Sequence, residues 1–538
     1  TQVTPKPDVR REVTQILSPG CNLSEDIHSN ADYGQSLLVS LFIEIDSSGD
    51  YFMNMSTFDS NIGETHLQYV QIESEINESR SHQLLVAAKE ILDKLNYNEV
   101  LINMVTSESY TVEDKQNLRQ KVIEQLELQR KLSHFNLYQS DNLKDYYRHQ
   151  YQSTYLEKVF PKYKTIYNHI KENLDLATQD PLLVVNLMLM YDFISIHDAC
   201  LISNLNKPII QGVNDHSLKS FNGAYAKLNI FNCSMVNSKT KSLFDYLNFT
   251  STVPGRKKLI ESLKNPLLDE HVLNQKYTQI EELVSNPELI TQLEDNLKIV
   301  DLERIYRRFN IGKLNPYELP RIEHSNLKIK NLLETVSKQK KLKTVRTLLP
   351  DKSVLTQFSE YRKELDSMFD YSKCQKNNLG DINLNFFKKG YHREIDSLDQ
   401  QLEEQYQRLE HLASWLGKFV DGGDTKKKTA KSVSPENYVS VRFNDKDGHW
   451  LDISTVRGKK LKTNLDNQKY PKETVGDIVF ETKALEYNHQ NKSNIKISSH
   501  QIKKISRTYL GIKDKLLTLV RKVYLESIQY LFNKYYFR

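Results

Sequence analysis

With 538 residues the chain is too long for one hydrophobic core, and at roughly 150 residues per domain it has room for about three or four units. Only 17 Gly and 14 Pro are present, which excludes collagen-like, linker-like and turn-dense all-β designs and favours long, uninterrupted helices. The 74 Lys+Arg against 69 Asp+Glu, with 27% charged and 38% hydrophobic residues, describe a folded chain rather than a disordered tail.

No apolar run reaches the ~18–20 residues of a membrane span; the best, Pro181 to Met190, is too short. Cys21, Cys200, Cys233 and Cys374 lie far apart with no CxxC or His-rich spacing, so neither a zinc site nor a disulfide framework is indicated. The first twenty residues hold acids and prolines and do not form a targeting peptide. The chain starts at Thr1, and Tyr524 to Arg538 still reads as helix interior without a Gly or Pro stop. Both ends read as cut, and the chain is expected to be an internal piece of a longer protein.

Residues 21–135 read as α/β. Ser36 to Asp46 and Tyr51 to Phe58 are strand-like runs joined by the turn signal Ser47-Ser48-Gly49-Asp50. Thr65 to Val70 is a third strand, Glu78 to Leu95 a helix, and Glu99 to Val105 a strand. This order suggests a ribonuclease-H-like α/β layout. A nuclease of that kind needs carboxylates converging on two metals. Glu44 and Asp46 lie on the first strand and Glu78 or Glu90 on the helix, but no Asp or Glu lies on the last strand before Glu99 and Glu108. The unit is therefore read as a non-catalytic connector.

Residues 136–385 read as a helical core. Leu182 to Leu205 is apolar and expected to be buried. Pro254-Gly255 marks a break before Arg256 to Leu263. Asn265-Pro266 and Asn286-Pro287 open further helices, and Gly312 stops the helix Asp301 to Ile311. Helix-period leucines here are packing positions, with no chemistry assigned to them.

Two heptad-like series follow: Tyr391, Ile395, Leu398, Leu402, Tyr406, Leu409, Leu412, Leu416, and Ile502, Ile505, Tyr509, Ile512, Leu516, Leu519, Val523. Two such helices can pair antiparallel and carry what lies between them on an arm. Between them, Tyr438 to Phe443, Trp450 to Val456 and Ile478 to Thr482 read as a small antiparallel β clamp. The fold class expected is thus multidomain and mainly α, with an α/β connector, a helical lever core and a coiled-coil arm bearing the clamp.

The arm tip holds the positive charge. Residues 421–504 carry 17 Lys+Arg and 11 Asp+Glu, and the rest of the chain is close to neutral. The excess lies in Lys426, Lys427, Lys428, Lys431, Arg457, Lys459, Lys460 and Lys462. A cationic tip suits a phosphate backbone, because each neutralised phosphate releases counterions. Lys426 to Lys428, beside Gly422-Gly423, read equally as a solvated loop or as a nucleic-acid contact. For Arg457-Gly458-Lys459-Lys460-Lys462, placed between strands, nucleic acid is favoured. Phosphate contacts position a protein without reading bases.

The element order, together with several local segments, resembles the MutS DNA mismatch repair family. Val9-Arg10-Arg11-Glu12-Val13-Thr14-Gln15-Ile16-Leu17-Ser18-Pro19-Gly20 is similar to the family's link out of its mismatch-binding domain. Ser242-Leu243-Phe244-Asp245-Tyr246-Leu247-Asn248, Pro254-Gly255 and Asn265-Pro266-Leu267-Leu268-Asp269 resemble its core signature. Glu281-Glu282-Leu283, Asn286-Pro287-Glu288-Leu289 and Asp301-Leu302-Glu303-Arg304 continue it in order, and Asn494-Ile495-Lys496 resembles the exit from the clamp. Lys257 and Lys258 depart from the family's usual Arg and apolar residue, and Tyr487-Asn488-His489 departs from its clamp-exit wording.

The resemblance implies a clamp that closes around mismatched double-stranded DNA as a homodimer, with no membrane, and that recruits a downstream repair protein. It assigns residues 1–20 to the end of the upstream mismatch-binding domain, 21–135 to the connector, 136–385 to the lever core, 386–495 to the clamp and 496–538 to the returning lever helix. The family's mismatch wedge is a Phe-x-Glu; Phe42-Ile43-Glu44 has the pattern but sits in a buried-looking strand and is read as core. No G-x-x-x-x-G-K-[ST] phosphate loop occurs, so no cofactor is assigned to this span; ATP and Mg are implied for a further C-terminal domain, and no residue is called catalytic. A recombination-type family member without mismatch reading, or a structural coiled-coil protein with an accidental basic tip, remain alternatives. Thirty Tyr against 2 Trp suggests an AT-rich coding sequence, as in mitochondrially encoded and some large-virus MutS homologues, and a mitochondrial location is expected on that basis.

Overall fold

The computed structural model describes residues 18–21, 23, 36–46, 50–70, 80–95, 97–106, 110–128, 132–163, 165–172, 182–211, 224–231, 242–420, 438–444, 448–468, 470–476, 478–489 and 493–535. They form two compact units, one of residues up to 314 with 321–355, the other of residues 315–320 with those from 356 onward.

The first unit is built on a mixed six-stranded sheet. Strands β1 (Leu37–Ile45), β2 (Tyr51–Asp59) and β3 (Glu64–Tyr69) form an antiparallel meander. Helix α1 (Arg80–Lys94) then leads to β4 (Glu99–Thr106), which lies parallel to β1 with Leu38 opposite Glu99. Helix α2 (Val112–Gln125) leads to β5 (Leu132–Gln139), parallel to β4. Strands β1 to β4 and helix α1 start and stop within about two residues of the sequence reading, because alternation and turn residues mark them locally, whereas α2 and β5 were not anticipated.

The sheet also extends beyond that reading. The expected boundary at 135 falls inside β5, and β6 (Ile209–Gln211), from the stretch read as helical, adds in parallel to β3. The order is β5-β4-β1-β2-β3-β6. Strand β1 is buried on both faces: Val39, Leu41 and Ile43 pack with Leu85 and Ala88 of α1 and Val122 of α2, while Leu38 and Phe42 join clusters formed with the opposite helix layer. Two-faced burial explains its near-continuous apolar sequence. Phe42 is fully buried, in accord with its reading as core.

Short helices α3 (His149–Val159) and α4 (Ile166–Glu172) precede α5 (Leu182–Asp198), the second layer. Leu182 to Ile202 is long and apolar enough to cross a membrane by length and composition, which the sequence reading did not credit. In the fold it is a core helix against β1 to β4, with every residue from Leu182 to Tyr191 buried. Its one amide in that stretch, Asn186, is bonded to Ser40 and Asn54.

The remainder of this unit is helical: α6 (Ala224–Lys227), α7 (Leu243–Leu247), α8 (Val253–Lys264), α9 (Glu270–Val284), α10 (Pro287–Asn296), α11 (Leu302–Asn310) and most of α12 (Leu319–Lys338). Pro254 and Gly255 lie in the first turn of α8, capped by Thr252, rather than in a break before it; proline is tolerated there because its missing N–H would have no helical partner. Gly312 has φ +71° and ends α11, as its residue type predicts. Arg307 of α11 donates to the carbonyls of Leu201 and Ser203, fastening these helices to the sheet layer.

In the second unit, α13 (Lys352–Met368, from Thr356 on) and α14 (Tyr371–Cys374) lead to α15 (Arg393–Gly417), which packs along the 36-residue α17 (His500–Tyr535). Phe369, Phe386, Phe387 and Tyr524 stack at one end of the pair, where the Tyr391 hydroxyl meets Ser527 Oγ at 2.8 Å. The heptad residues Ile395, Leu409, Leu412, Leu416, Ile502, Ile505, Leu516 and Val523 are buried. Leu398, Leu402, Tyr509, Ile512 and Leu519 are half-buried, since two helices alone cover only one stripe of each other.

Candidate nucleic-acid interface

At the other end of the α15/α17 pair lies a four-stranded antiparallel sheet ordered β11-β12-β8-β7, made of β7 (Ser440–Asn444), β8 (Gly448–Ser454), β11 (Glu486–His489) and β12 (Asn494–Ser498). Between β8 and β11 run helix α16 (Thr455–Asn467) and the two-stranded ribbon β9 (Lys472–Val475) and β10 (Ile478–Glu481). One core joins these parts: Leu409, Leu412 and Leu416 of α15, Ile502 and Ile505 of α17, Leu451 and Ile453 of β8, Ile495 and Ile497 of β12, and Leu461 and Leu465 of α16.

Two sequence expectations need correction. The strand read as Trp450 to Val456 ends at Ser454, and Arg457 to Lys462, which do lie between strands, are on helix α16, an element the sequence reading did not anticipate. The strand read as Ile478 to Thr482 belongs to the separate ribbon; the sheet is completed instead by β11 and β12. The returning chain is thus a strand through Ser498, and its helix begins at His500. Gly458 explains why α16 can lie so close to the sheet. A Cβ there would come within 2.9 Å of Ile495 Cδ1 and 3.2 Å of Ile453 Cγ2.

The helix sorts its four cations. Gly458, Leu461 and Leu465 form the buried stripe. At 3.6 residues per turn, Arg457 and Lys462 flank that stripe on opposite sides. The Arg457 guanidinium sits 4.3 Å from the Tyr438 ring centroid, and Lys462 Nζ 5.8 Å from that of Tyr487. These two cations therefore cover the sheet's aromatic residues. Lys459 and Lys460 point away, are exposed, and have no carboxylate partner among the described residues. Other lysines nearby are neutralised: Lys472 by Glu481 at 2.6 Å and Lys503 by Glu486 at 2.9 Å. Lys426, Lys427, Lys428 and Lys431 lie outside the described residues.

Reading charge runs missed two further cations, because each is isolated in sequence. Arg442 on β7 stands opposite Trp450, and Lys496 on β12 stands opposite Asp452, so strand alternation places both on the Trp450 face of the sheet. Lys496 Nζ is 4.6 Å from a Trp450 ring centroid. The signal that could have found them was the period-2 pattern itself, once the register was known.

Of the carboxylates considered in the first unit, Glu44, Asp46 and Glu99 are held in structural bonds, Asp46 accepting from the Asp50 N–H at 2.9 Å, while Glu78 and Glu108 lie outside the described residues. Glu99 lies on β4 and is fully buried; its Oε2 accepts from the Gly20 N–H at 2.9 Å and from the Ser18 hydroxyl, and its Oε1 meets His134 Nε2 at 2.5 Å. Glu44 accepts from the Tyr147 hydroxyl. Among the described residues no group of three or more His, Cys, Asp or Glu side chains is placed to hold a metal ion. With no phosphate-loop sequence either, the residues present do not fit ATP and Mg, and no step is derived through them.

Residues 224–529, more than half of the chain, match the family model described as MutS domain III. The chain belongs to the MutS family. Among similar proteins, a mutS homolog of Acanthamoeba polyphaga mimivirus is 27% identical over 355 residues, which is 64% of this chain and 30% of that protein. A DNA mismatch repair protein MutS from Petrotoga mobilis is 24% identical over 55% of this chain and 32% of its own length. One from Clostridioides difficile is 22% identical over 88% of this chain and 43% of its own length. The chain thus spans between 30% and 43% of the length of these relatives. The MutS domain III match covers α15, everything carried between the pair, and α17 as far as residue 529, whereas the six-stranded sheet lies before it.

Proposed function

We propose that this chain is the connector, lever and DNA clamp region of a MutS-type mismatch recognition protein. The observation that carries the proposal is the antiparallel pair α15/α17 bearing a sheet on which α16 directs the exposed Lys459 and Lys460 outward. Two cations on a helix packed into the core grip phosphates without reading bases. The long pair provides an arm through which a distant movement reaches the grip. In the first unit, the strand order β5-β4-β1-β2-β3 supports a ribonuclease-H-like connector in a mechanical role, with Glu44 and Glu99 engaged in structural bonds.

The whole protein would act as a dimer on mismatched duplex and hand on to a downstream repair protein, in the mitochondrion, with ATP and Mg used elsewhere in the longer chain. A mutS homolog from a large virus among the relatives supports the compositional likeness to such members.

The test is duplex binding by the full chain as salt rises from about 50 to 200 mM. Affinity should fall steeply, and Lys459→Glu/Lys460→Glu should flatten the log–log dependence by about 2, close to 0.9 per lost phosphate contact. Binding that ignores salt would leave a structural coiled-coil protein. Equal affinity for matched and mismatched duplex, with preference for a four-way junction, would assign the recombination-type role.

A further inference from the structure

A second cationic surface lies on the first unit, in a part of the sequence that composition did not single out. The nine residues Lys338 to Arg346 contain Lys338, Lys340, Lys341, Lys343 and Arg346 and no acid. They form the end of α12 and the turn into a short 3-10 helix, Val345–Leu348. All five cations are exposed, and none has a carboxylate partner among the described residues. The nearest acids in sequence are outside the run: Glu334 is paired with Lys330, and Asp351 follows it.

The turn is held rather than loose. Leu342, fully buried, packs with Leu289 and Val336, with Leu283, Leu293 and Val345 around them. The Glu282 carboxylate of α9 accepts from the Thr344 N–H at 2.9 and 3.0 Å and from the Val345 N–H at 3.0 Å. An anchored turn with five cations fanned around a buried leucine has already lost the backbone entropy that a lysine-rich tail would lose on binding. Five like charges this close repel one another, which an anionic ligand would relieve.

We infer that the Lys338 to Arg346 turn is a second contact for the phosphate backbone of duplex DNA, separate from α16. The run contains no aromatic ring on which a base could stack, which favours backbone over unpaired bases and sequence-independent holding over reading. The inference rests on the reading that this chain holds DNA, and adds a contact on the other compact unit.

The experiment uses the full chain and a fluorescein-labelled duplex, with anisotropy read across about 50 to 200 mM salt. Lys340→Glu/Lys341→Glu/Lys343→Glu leaves Leu342 and Glu282 in place, and its circular dichroism should match the parent. It should lower the salt slope by about 2–3 and weaken binding at the low-salt end at least tenfold. Reversing three exposed lysines elsewhere, Lys158, Lys298 and Lys363, should leave the slope within error and so controls for net charge. If the turn variant matches this control while Lys459→Glu/Lys460→Glu still loses its share, the inference is overturned, the clamp reading stands, and the turn is assigned to an acidic protein partner. If the parent chain binds no duplex at low salt, the clamp reading itself falls, and this contact with it.

Discussion

Ser40 Oγ donates to Asn186 Oδ1 at 2.6 Å across 146 positions of sequence, deep between sheet and helix. Asn186 Nδ2 donates in turn to the Ser40 carbonyl at 3.0 Å and to Asn54 Oδ1 at 2.9 Å, and Asn103 Nδ2 reaches Ser40 Oγ at 3.1 Å. Four fully or almost fully buried polar residues on β1, β2, β4 and α5 thereby satisfy one another. Such a network fixes the rotation and register of an apolar helix whose other contacts would tolerate sliding.

Replacing Asn186 with Leu makes α5 more apolar and a better helix former, yet should destabilise the first unit. It leaves the Ser40 O–H without its acceptor and takes the Asn186 donor from the Ser40 carbonyl and Asn54 Oδ1, at about 1–3 kcal/mol for each buried group left unmet. Urea unfolding followed by hydrogen exchange on β1 should show a loss of several kcal/mol. The double variant Ser40→Ala/Asn186→Leu should recover part of it through coupling.

Asp59, at the end of β2, gives a pH signature. Burial, against the attraction of Lys257, pushes its carboxyl up to about 6. A folded value above the ordinary 3.8 means the acid's contribution is intact below that pH and is lost as pH rises through about 6. Asp59→Asn escapes this loss while keeping an acceptor for the Asn61 N–H. Its Tm should exceed the parent's at pH 7.5 and converge with it near pH 4. A gap that is constant with pH would show that Asp59 is not the titrating group.

The cysteines should react unequally. Burial and the Glu99 carboxylate push the Cys21 thiol up to about 12, and burial with Asp370 does the same for Cys374. Both stay protonated and inert at pH 8, whereas the half-buried Cys200 is open to reagent. Alkylation mapped by mass spectrometry should label Cys200 before Cys21 and Cys374, the other cysteines among the described residues. Glu99→Ala, which removes the acceptor holding Ser18 and Gly20, should bring Cys21 into the fast class.

The joint between the four-stranded sheet and α17 can be strained deliberately. Gly448 has φ +71°, and a Cβ there would lie 2.5 Å from Ser506 Oγ, which also accepts the His449 N–H at 2.8 Å. Gly448→Ala should cost about 1–3 kcal/mol, partly relieved by Ser506→Ala. Burial and Lys513 hold the His449 imidazole below its ordinary 6.5. The stability it contributes is present above that value and is lost as pH falls. Hydrogen exchange at the start of α17 should therefore quicken as pH falls below 6.5, and His449→Gln should remove the change.

Strands β1 to β4, the turn glycine Gly312 and the two heptad helices were legible in sequence, because each is written in local periodicity and punctuation. The basic tip was legible as charge. What it could not show was that Arg457 and Lys462 lie back over Tyr438 and Tyr487 while Lys459 and Lys460 face outward, since that depends on which side of α16 is buried. Strands β5, β6, β11 and β12 escaped because their partners are distant or their alternation is short.

By itself, then, the sequence determined the character of the molecule: long helices, an α/β unit ahead of them, and a basic excess concentrated between the two heptad series. Tertiary structure alone decided which side chains are available. The apolar stretch from Leu182 to Ile202 is a core helix and not a span because Ser40 and Asn54 meet its one buried amide. Two of the four cations on α16, Lys459 and Lys460, face outward, because the buried stripe of Gly458, Leu461 and Leu465 turns Arg457 and Lys462 over aromatic rings instead. Local pattern is set by neighbours along the chain, whereas availability is set by whatever the fold brings alongside.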